Sequence, residues 1–234
     1  MSVTFTTDEM MAVEAARRLT DGMVCFVGIG LPSTAANLAR RTHAPECVLV
    51  YESGTIGAKP TELPLSIGDG ELAEPADAVV SVPEMFAYWL QGGRIDVGFL
   101  GAAQIDRHGN LNSTVIGDYD RPQVRLPGGG GAPEIATEIK DVFVMLRHTP
   151  RAFVEQLDFK TSRGDNVRIV VTDLGILEPV DGELTLVQVH PGASVEDARE
   201  ATGWELRVAD DVKTTAPPTE DELTALRGLQ TKAG

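Results

Sequence analysis

Residues 23–27, 47–51 and 97–100 are short, nearly unbroken apolar runs, and each reaches a glycine within three residues of its end. A strand that is apolar on both sides has to be covered on both sides, as in a parallel sheet. Helix signals stand between these runs. Thr6 with Glu9 forms a capping box for a helix to about Leu19, closed by Asp21-Gly22. Ser33 to Arg41 reads as the helix after the first glycine loop, and Ser81 with Glu84 opens one that leads to Leu90. Residues 142–146, 167–171 and 184–189 are further strands, while Ser194 with Asp197 and Thr219 with Glu222 open two late helices. This alternation predicts an α/β fold with a single open, mostly parallel sheet sandwiched by helices. One domain is expected over 1–234, with 217–234 as a C-terminal helix and tail behind the Pro217-Pro218 linker. The stretch 101–135 is expected to carry loops rather than elements.

Charge narrows the partners. Acids outnumber bases 35 to 20, a net charge of −15, which is the opposite of a nucleic-acid or anionic-membrane footprint. No apolar run approaches the roughly 20 residues of a membrane span, and the opening MSVTFTTDEM does not resemble a signal peptide. A cytoplasmic protein is expected. Residues 196–222 hold nine acids and three bases and read as a solvated face, whereas 101–170 hold nine of each. An anionic ligand is therefore expected in the middle of the chain, where Arg121 and Arg125 are candidate contacts unless they pair with Asp118 and Asp120. Cys25 and Cys47 lie inside apolar runs and read as buried free thiols. The four histidines show no metal spacing, so no metal site is expected.

In open α/β sheets ligands sit beyond the carboxyl ends of the strands. Gly28-Ile29-Gly30-Leu31-Pro32-Ser33 follows the first strand, but it lacks the third glycine of a dinucleotide loop and Pro32 removes an amide. It fits a tight strand-to-helix turn at least as well as a binding loop. Tyr51-Glu52-Ser53-Gly54 places a carboxylate directly after a buried strand, where partial desolvation makes it a better nucleophile. A structural turn has the same pattern. Gln104, after the third strand, is either an oxyanion donor or a loop glutamine facing water. The four glycines of Pro127-Gly128-Gly129-Gly130-Gly131 fit an oxyanion cradle or a flexible loop equally.

Taken together and in order, VGIGLPSTAANLARR, LVYESGTIGAKP, LPLSIGDGELAE, WLQGGRIDVGFLGAAQIDRHGNLNSTVIGDYDRP and RLPGGGGAPEIA resemble the B subunits of class I CoA-transferases of the 3-oxoadipate and glutaconate type. The likeness spans nearly the whole chain and implies the CoA-transferase superfamily fold. It implies that Glu52, in the family's Glu-Ser-Gly motif, is the catalytic carboxylate. It also implies that Gln104 and the amides of Gly130 and Gly131 serve the oxyanion, and that Gly28 lies in a CoA-binding loop. One departure stands out. The family carries a glycine-rich insertion after Thr161-Ser162, and here Arg163-Gly164-Asp165-Asn166 leads directly to the next strand.

The resemblance further implies a ping-pong transfer of CoA from succinyl-CoA to a 3-oxo dicarboxylic acid such as 3-oxoadipate, in aromatic compound degradation. No cofactor is expected beyond the CoA thioester itself. An A subunit is expected as partner, in a heterotetramer of two A and two B chains. A glutaconate-type CoA-transferase or an acyl-CoA hydrolase on the same scaffold, and a nucleotide-binding module using the Gly28 loop, are the alternatives.

Overall fold

The computed structural model describes residues 4–230. The fold divides into two compact units. Unit 1 runs to Phe99 and resumes at Pro218, and unit 2 is Leu100–Pro217. The second boundary falls on the Pro217-Pro218 linker.

Unit 1 opens with α1 (Thr7–Ala16), whose capping box forms as expected: Thr6 N donates to Glu9 at 2.7 Å and Glu9 N to Thr6 Oγ1 at 3.2 Å. Then come β1 (Val24–Phe26), α2 (Leu31–Arg41), β2 (Val48–Val50), β3 (Thr55–Ile56), α3 (Gly70–Ala73), β4 (Ala78–Val79), α4 (Val82–Glu84) and β5 (Val97–Leu100). Helix α2 starts two residues before Ser33, because Pro32 fits a first helical turn, where no N–H is needed. After α4 the chain winds on as a π-helix over Met85–Leu90. The strands lie in the order β5-β1-β2-β3-β4. Pairing is parallel for β5–β1–β2, the three apolar strands, and antiparallel for β2–β3 and β3–β4.

Unit 2 contains β6 (Gln104–Ile105), β7 (Leu111–Asn112), β8 (Val115–Gly117), β9 (Pro122–Arg125), α5 (Ala132–Glu138), β10 (Asp141–Met145), β11 (Val167–Val171), β12 (Gly175–Val180), β13 (Glu183–Val189), α6 (Val195–Glu200) and β14 (Arg207–Thr214). The expectation of loops over 101–135 is corrected. Two small hairpins, β6–β7 and β8–β9, fill that stretch, with strands of two to four residues that are too short to leave a periodic signal. The strands lie in the order β14-β13-β12-β11-β10, parallel for β14–β13 and β11–β10 and antiparallel through β11–β12–β13. Short connections force the antiparallel pairs, since parallel neighbours need a long crossover. Buried in unit 2, His148 stacks on Phe153 at 3.8 Å between ring centres and bonds Thr202 Oγ1 at 2.8 Å. Burial pushes its imidazole down to about 4. The acidic stretch is solvated as expected, with Asp210 and Asp211 exposed, but it also contains β14.

The chain then returns to unit 1 as α7 (Glu220–Gln230). Leu223, Leu226 and Leu229 bury one face of it, each worth about 1.5–3 kcal/mol. Two ion pairs tie it to the first helix, Arg17–Glu222 at 2.8 Å and Arg227–Glu9 at 2.7 Å. No helix among the described residues is long and apolar enough to cross a membrane.

Candidate active site

In unit 1 the parallel pair β1 and β2 delivers two loops to the same edge, and Val27 N joins the strand ends by donating to Val50 O at 2.8 Å. The first loop is Gly28–Gly30. Gly30 stands at φ +83°, a conformation that favours glycine, and its carbonyl takes the first helical bond of α2 from Thr34 N at 3.0 Å. Gly28 is half-buried, with the Pro32 ring as its nearest neighbour. The loop is thus a tight strand-to-helix turn lying next to the second loop.

That second loop carries Glu52. Tyr51 N donates to Thr55 O at 3.0 Å, and Gly54 N returns to Tyr51 O at 2.9 Å, so Glu52 and Ser53 form the tip of a closed hairpin turn between β2 and β3. Gly54 has φ +103°, and a Cβ there would overlap the carbonyl of Val80, whose N–H donates to Gly54 O at 2.9 Å. Only glycine lets β4 close against the turn this tightly. Glu52 itself is half-buried and reaches solvent. Directly beneath it Tyr51 is 0% exposed, and its hydroxyl meets Ser33 Oγ at 3.2 Å. Asn37, also buried, donates to Ser33 O at 2.9 Å and to Ser33 Oγ at 3.4 Å. Burial raises the proton affinity of the Tyr51 hydroxyl and lowers that of the Arg40 guanidinium.

Unit 2 holds Gln104, Gly130 and Gly131. Gln104 is only 5% exposed, so it is not a loop glutamine facing water. Its Nε2 donates to Asp158 at 2.8 Å, and its carbonyl oxygen accepts from Asn112 Nδ2 at 2.7 Å and Asp158 N at 3.2 Å. One N–H is left for any further acceptor. The glycine run is anchored rather than loose. Gly128 exchanges two bonds with Ser113, N–H to Ser113 O at 2.9 Å and Ser113 Oγ to Gly128 O at 3.0 Å. Gly129 is packed tightly between Pro133 and Thr161, whose carbons would lie 3.1–3.2 Å from a Cβ. Gly131 caps α5, its carbonyl accepting from Glu134 and Ile135. The turn does not use the amides of Gly130 and Gly131 in its own hydrogen bonds. Asn112 bonds Gln104 and the next residue bonds Gly128, so β7 brings the glutamine and the glycine run into one substructure.

Arg125 does not use the acidic partners expected for it. Arg125 lays its guanidinium over the Tyr119 ring, 4.9 Å from the centre, and donates to Tyr119 O at 3.0 Å. Asp118 spends its carboxylate on the backbone N–H groups of Asp120 and Arg121. The missing insertion leaves a closed turn: Val167 N donates to Gly164 O at 3.0 Å, and Gly164 packs on the backbone of His108 and Gly109. Sequence spacing does not reveal Asp158, 54 positions from the glutamine it holds, or the Ser33–Tyr51 contact. Only the polar residues inside the apolar start of α2 hint at the latter.

The family profile described as Coenzyme A transferase matches residues 8–201. The chain is 58% identical over 245 aligned positions to the B subunit of 3-oxoadipate CoA-transferase from Pseudomonas knackmussii, covering 97% of this chain and 94% of the relative. That alignment is longer than the 234 residues of the chain, so the relative carries residues that are absent here. The B subunit of glutaconate CoA-transferase from Acidaminococcus fermentans is 35% identical, with 91% and 88% covered. The crystal structure of glutaconate coenzyme A-transferase from the same organism superposes with a TM-score of 0.90 at 32% identity, over 97% of this chain and 95% of that one.

Proposed function

This chain belongs to the coenzyme A transferase family, and we propose that it is the B subunit of an enzyme that moves CoA from succinyl-CoA to 3-oxoadipate. The observation that carries this reading is Glu52 at the tip of a closed turn after β2, in a chain 58% identical to the B subunit of a 3-oxoadipate CoA-transferase. Its partner is an A subunit, as the subunit naming of the relatives implies, in a heterotetramer of two A and two B chains.

A Glu52 carboxylate oxygen attacks the thioester carbonyl. The C–S bond breaks, CoA leaves as thiolate, and a mixed anhydride remains. The thiolate then attacks the glutamyl carbonyl and expels succinate, leaving a glutamyl-CoA thioester. The carboxylate of the acceptor runs the same steps in reverse and restores Glu52, which gives ping-pong kinetics. Each tetrahedral intermediate needs donors. We assign them to the amides of Gly130 and Gly131 and to the one uncommitted N–H of Gln104, each worth about 3 kcal/mol. The chemistry uses no cofactor, because CoA arrives with the substrate. Turn rigidity suits Glu52 to this role, since a nucleophile must be held in near-attack geometry.

The test uses the chain assembled with its A subunit. Mixed with succinyl-CoA and no acceptor, it should hold CoA as a thioester on the peptide containing Glu52, reducible by borohydride. Glu52→Gln should abolish transfer, and Glu52→Asp should fail badly. CoA found on the other subunit, or normal turnover by Glu52→Ala, would refute the assignment. Thioester consumption without any acceptor would instead favour a hydrolase.

A further inference from the structure

The Tyr51 hydroxyl is a fully buried polar group within unit 1. Tyr51, Ser33 and Asn37 are all buried to within 1% of complete, and they bond one another. Buried polar groups cost stability unless they are paired, and paired ones fix a single geometry. What this pairing joins is specific. Ser33 lies in the first turn of α2, three residues after Gly30, and Tyr51 immediately precedes Glu52. The contact therefore spans the two loops that leave β1 and β2 at the same edge. The Tyr51 backbone closes the Glu52 turn from its own side, through Thr55 O and Gly54 N. One residue thus holds the turn by its main chain and ties it to the neighbouring loop by its side chain.

We propose that Tyr51 is a positioning residue for Glu52: the Tyr51–Ser33 contact, backed by Asn37, sets where the Glu52 carboxylate stands relative to the Gly28–Gly30 loop. The proposal rests on the assignment of Glu52 as nucleophile. Removing the hydroxyl leaves the ring and the turn's backbone bonds in place, so the turn stays folded but loses its registration. A displacement of the order of 1 Å lowers a chemical rate by up to about a hundredfold.

The experiment uses the assembled enzyme with succinyl-CoA and 3-oxoadipate. Tyr51→Phe should lower kcat by about tenfold to a hundredfold and leave KM for succinyl-CoA within about twofold. With succinyl-CoA alone it should still trap CoA on the Glu52 peptide to full amplitude, at a rate lowered by the same factor. Ser33→Ala should match it, and the double variant should be no slower than the slower single variant. Leu226→Val, on the buried face of α7, serves as a stability control; it should lower the melting temperature and leave kcat unchanged. The proposal is overturned if Tyr51→Phe keeps kcat within twofold, if KM rises as kcat falls, if the single losses multiply in the double variant, or if Leu226→Val slows turnover equally. A dead Glu52→Gln beside an unimpaired Tyr51→Phe rejects the positioning role alone. An active Glu52→Gln rejects the nucleophile assignment itself.

Discussion

Adding one methyl group at Gly54 should damage both the stability and the chemistry of unit 1. At φ +103° an L-residue is strained by about 1–2 kcal/mol. The new Cβ would also overlap the carbonyl oxygen of Val80, and turn or strand must yield by about 1 Å before that contact is tolerable. Overpacking of this kind costs about 1–3 kcal/mol. Gly54→Ala should thus lose about 2–5 kcal/mol, and at this chain length about 4–20 °C of melting temperature. Because the residue that moves is two positions from Glu52, a shift of about 1 Å should also slow transfer by about a hundredfold. Gly228→Ala gives the contrast. Gly228 lies within α7, exposed, at ordinary φ and with nothing within 4 Å of a Cβ, so the same methyl should add about 0.5–1 kcal/mol. Thermal melts of both variants, with transfer rates of the assembled enzyme, decide the matter. If Gly54→Ala melts within a degree of the parent and turns over normally, the turn is not held by its packing on Val80, and the rigid-nucleophile argument falls.

Other outcomes follow from groups elsewhere in the molecule. His148 is neutral in the folded state until pH falls to about 4, while the unfolded chain takes its proton near 6.5. Stability from this residue is whole above pH 6.5 and is lost on acidification to about 4, a total of about 3 kcal/mol. Denaturant midpoints of His148→Gln should fall less steeply than the parent's across that window, and parallel slopes would remove His148 as the cause. Gln104→Ala should destabilise unit 2 by about 1–3 kcal/mol in urea melts, because Asp158 and Asn112 lose partners; an unchanged midpoint would argue against the buried network. Arg17→Met should cost about 1–3 kcal/mol, since the Glu14 side chain it pairs is only 6% exposed, and the loss should persist in about 0.5 M salt. Recovery of stability in salt would mark that pair as a surface interaction.

The elements that sequence makes legible are those with long or repeated signals. The apolar runs at β1, β2 and β5, and the capping boxes at Thr6, Ser81 and Ser194, each leave several residues of pattern, and the structure places them where the pattern does. The hairpins between 104 and 125 leave none, because strands of two to four residues are too short to show a period. Strand β12 does leave a signal: Asp181-Gly182 between apolar runs is a hairpin turn pattern, and it joins β12 to β13. At the site, Glu52 stands out by its place after a buried strand and its Glu-Ser-Gly neighbours. The side-chain commitment of Gln104 does not, since its partner Asp158 is set by tertiary packing rather than by spacing. Arg125 looks like a free cation in a neutral segment, but local geometry turns it onto Tyr119, six residues back.

Helix α7 gives the chain an order of assembly. Its three leucines cover α1 and α2, but it is made last, after the 118 residues of Leu100–Pro217. At about 5–20 residues per second a ribosome takes roughly 6–24 s to traverse that insert. Throughout that interval the nascent first unit lacks its lid, with an apolar helical face open to chaperones or to other chains, and at its end the second unit has every residue it needs while the first still waits for α7. A stop codon just after Pro217 would therefore release a product whose later-synthesised unit is complete and whose earlier one is not.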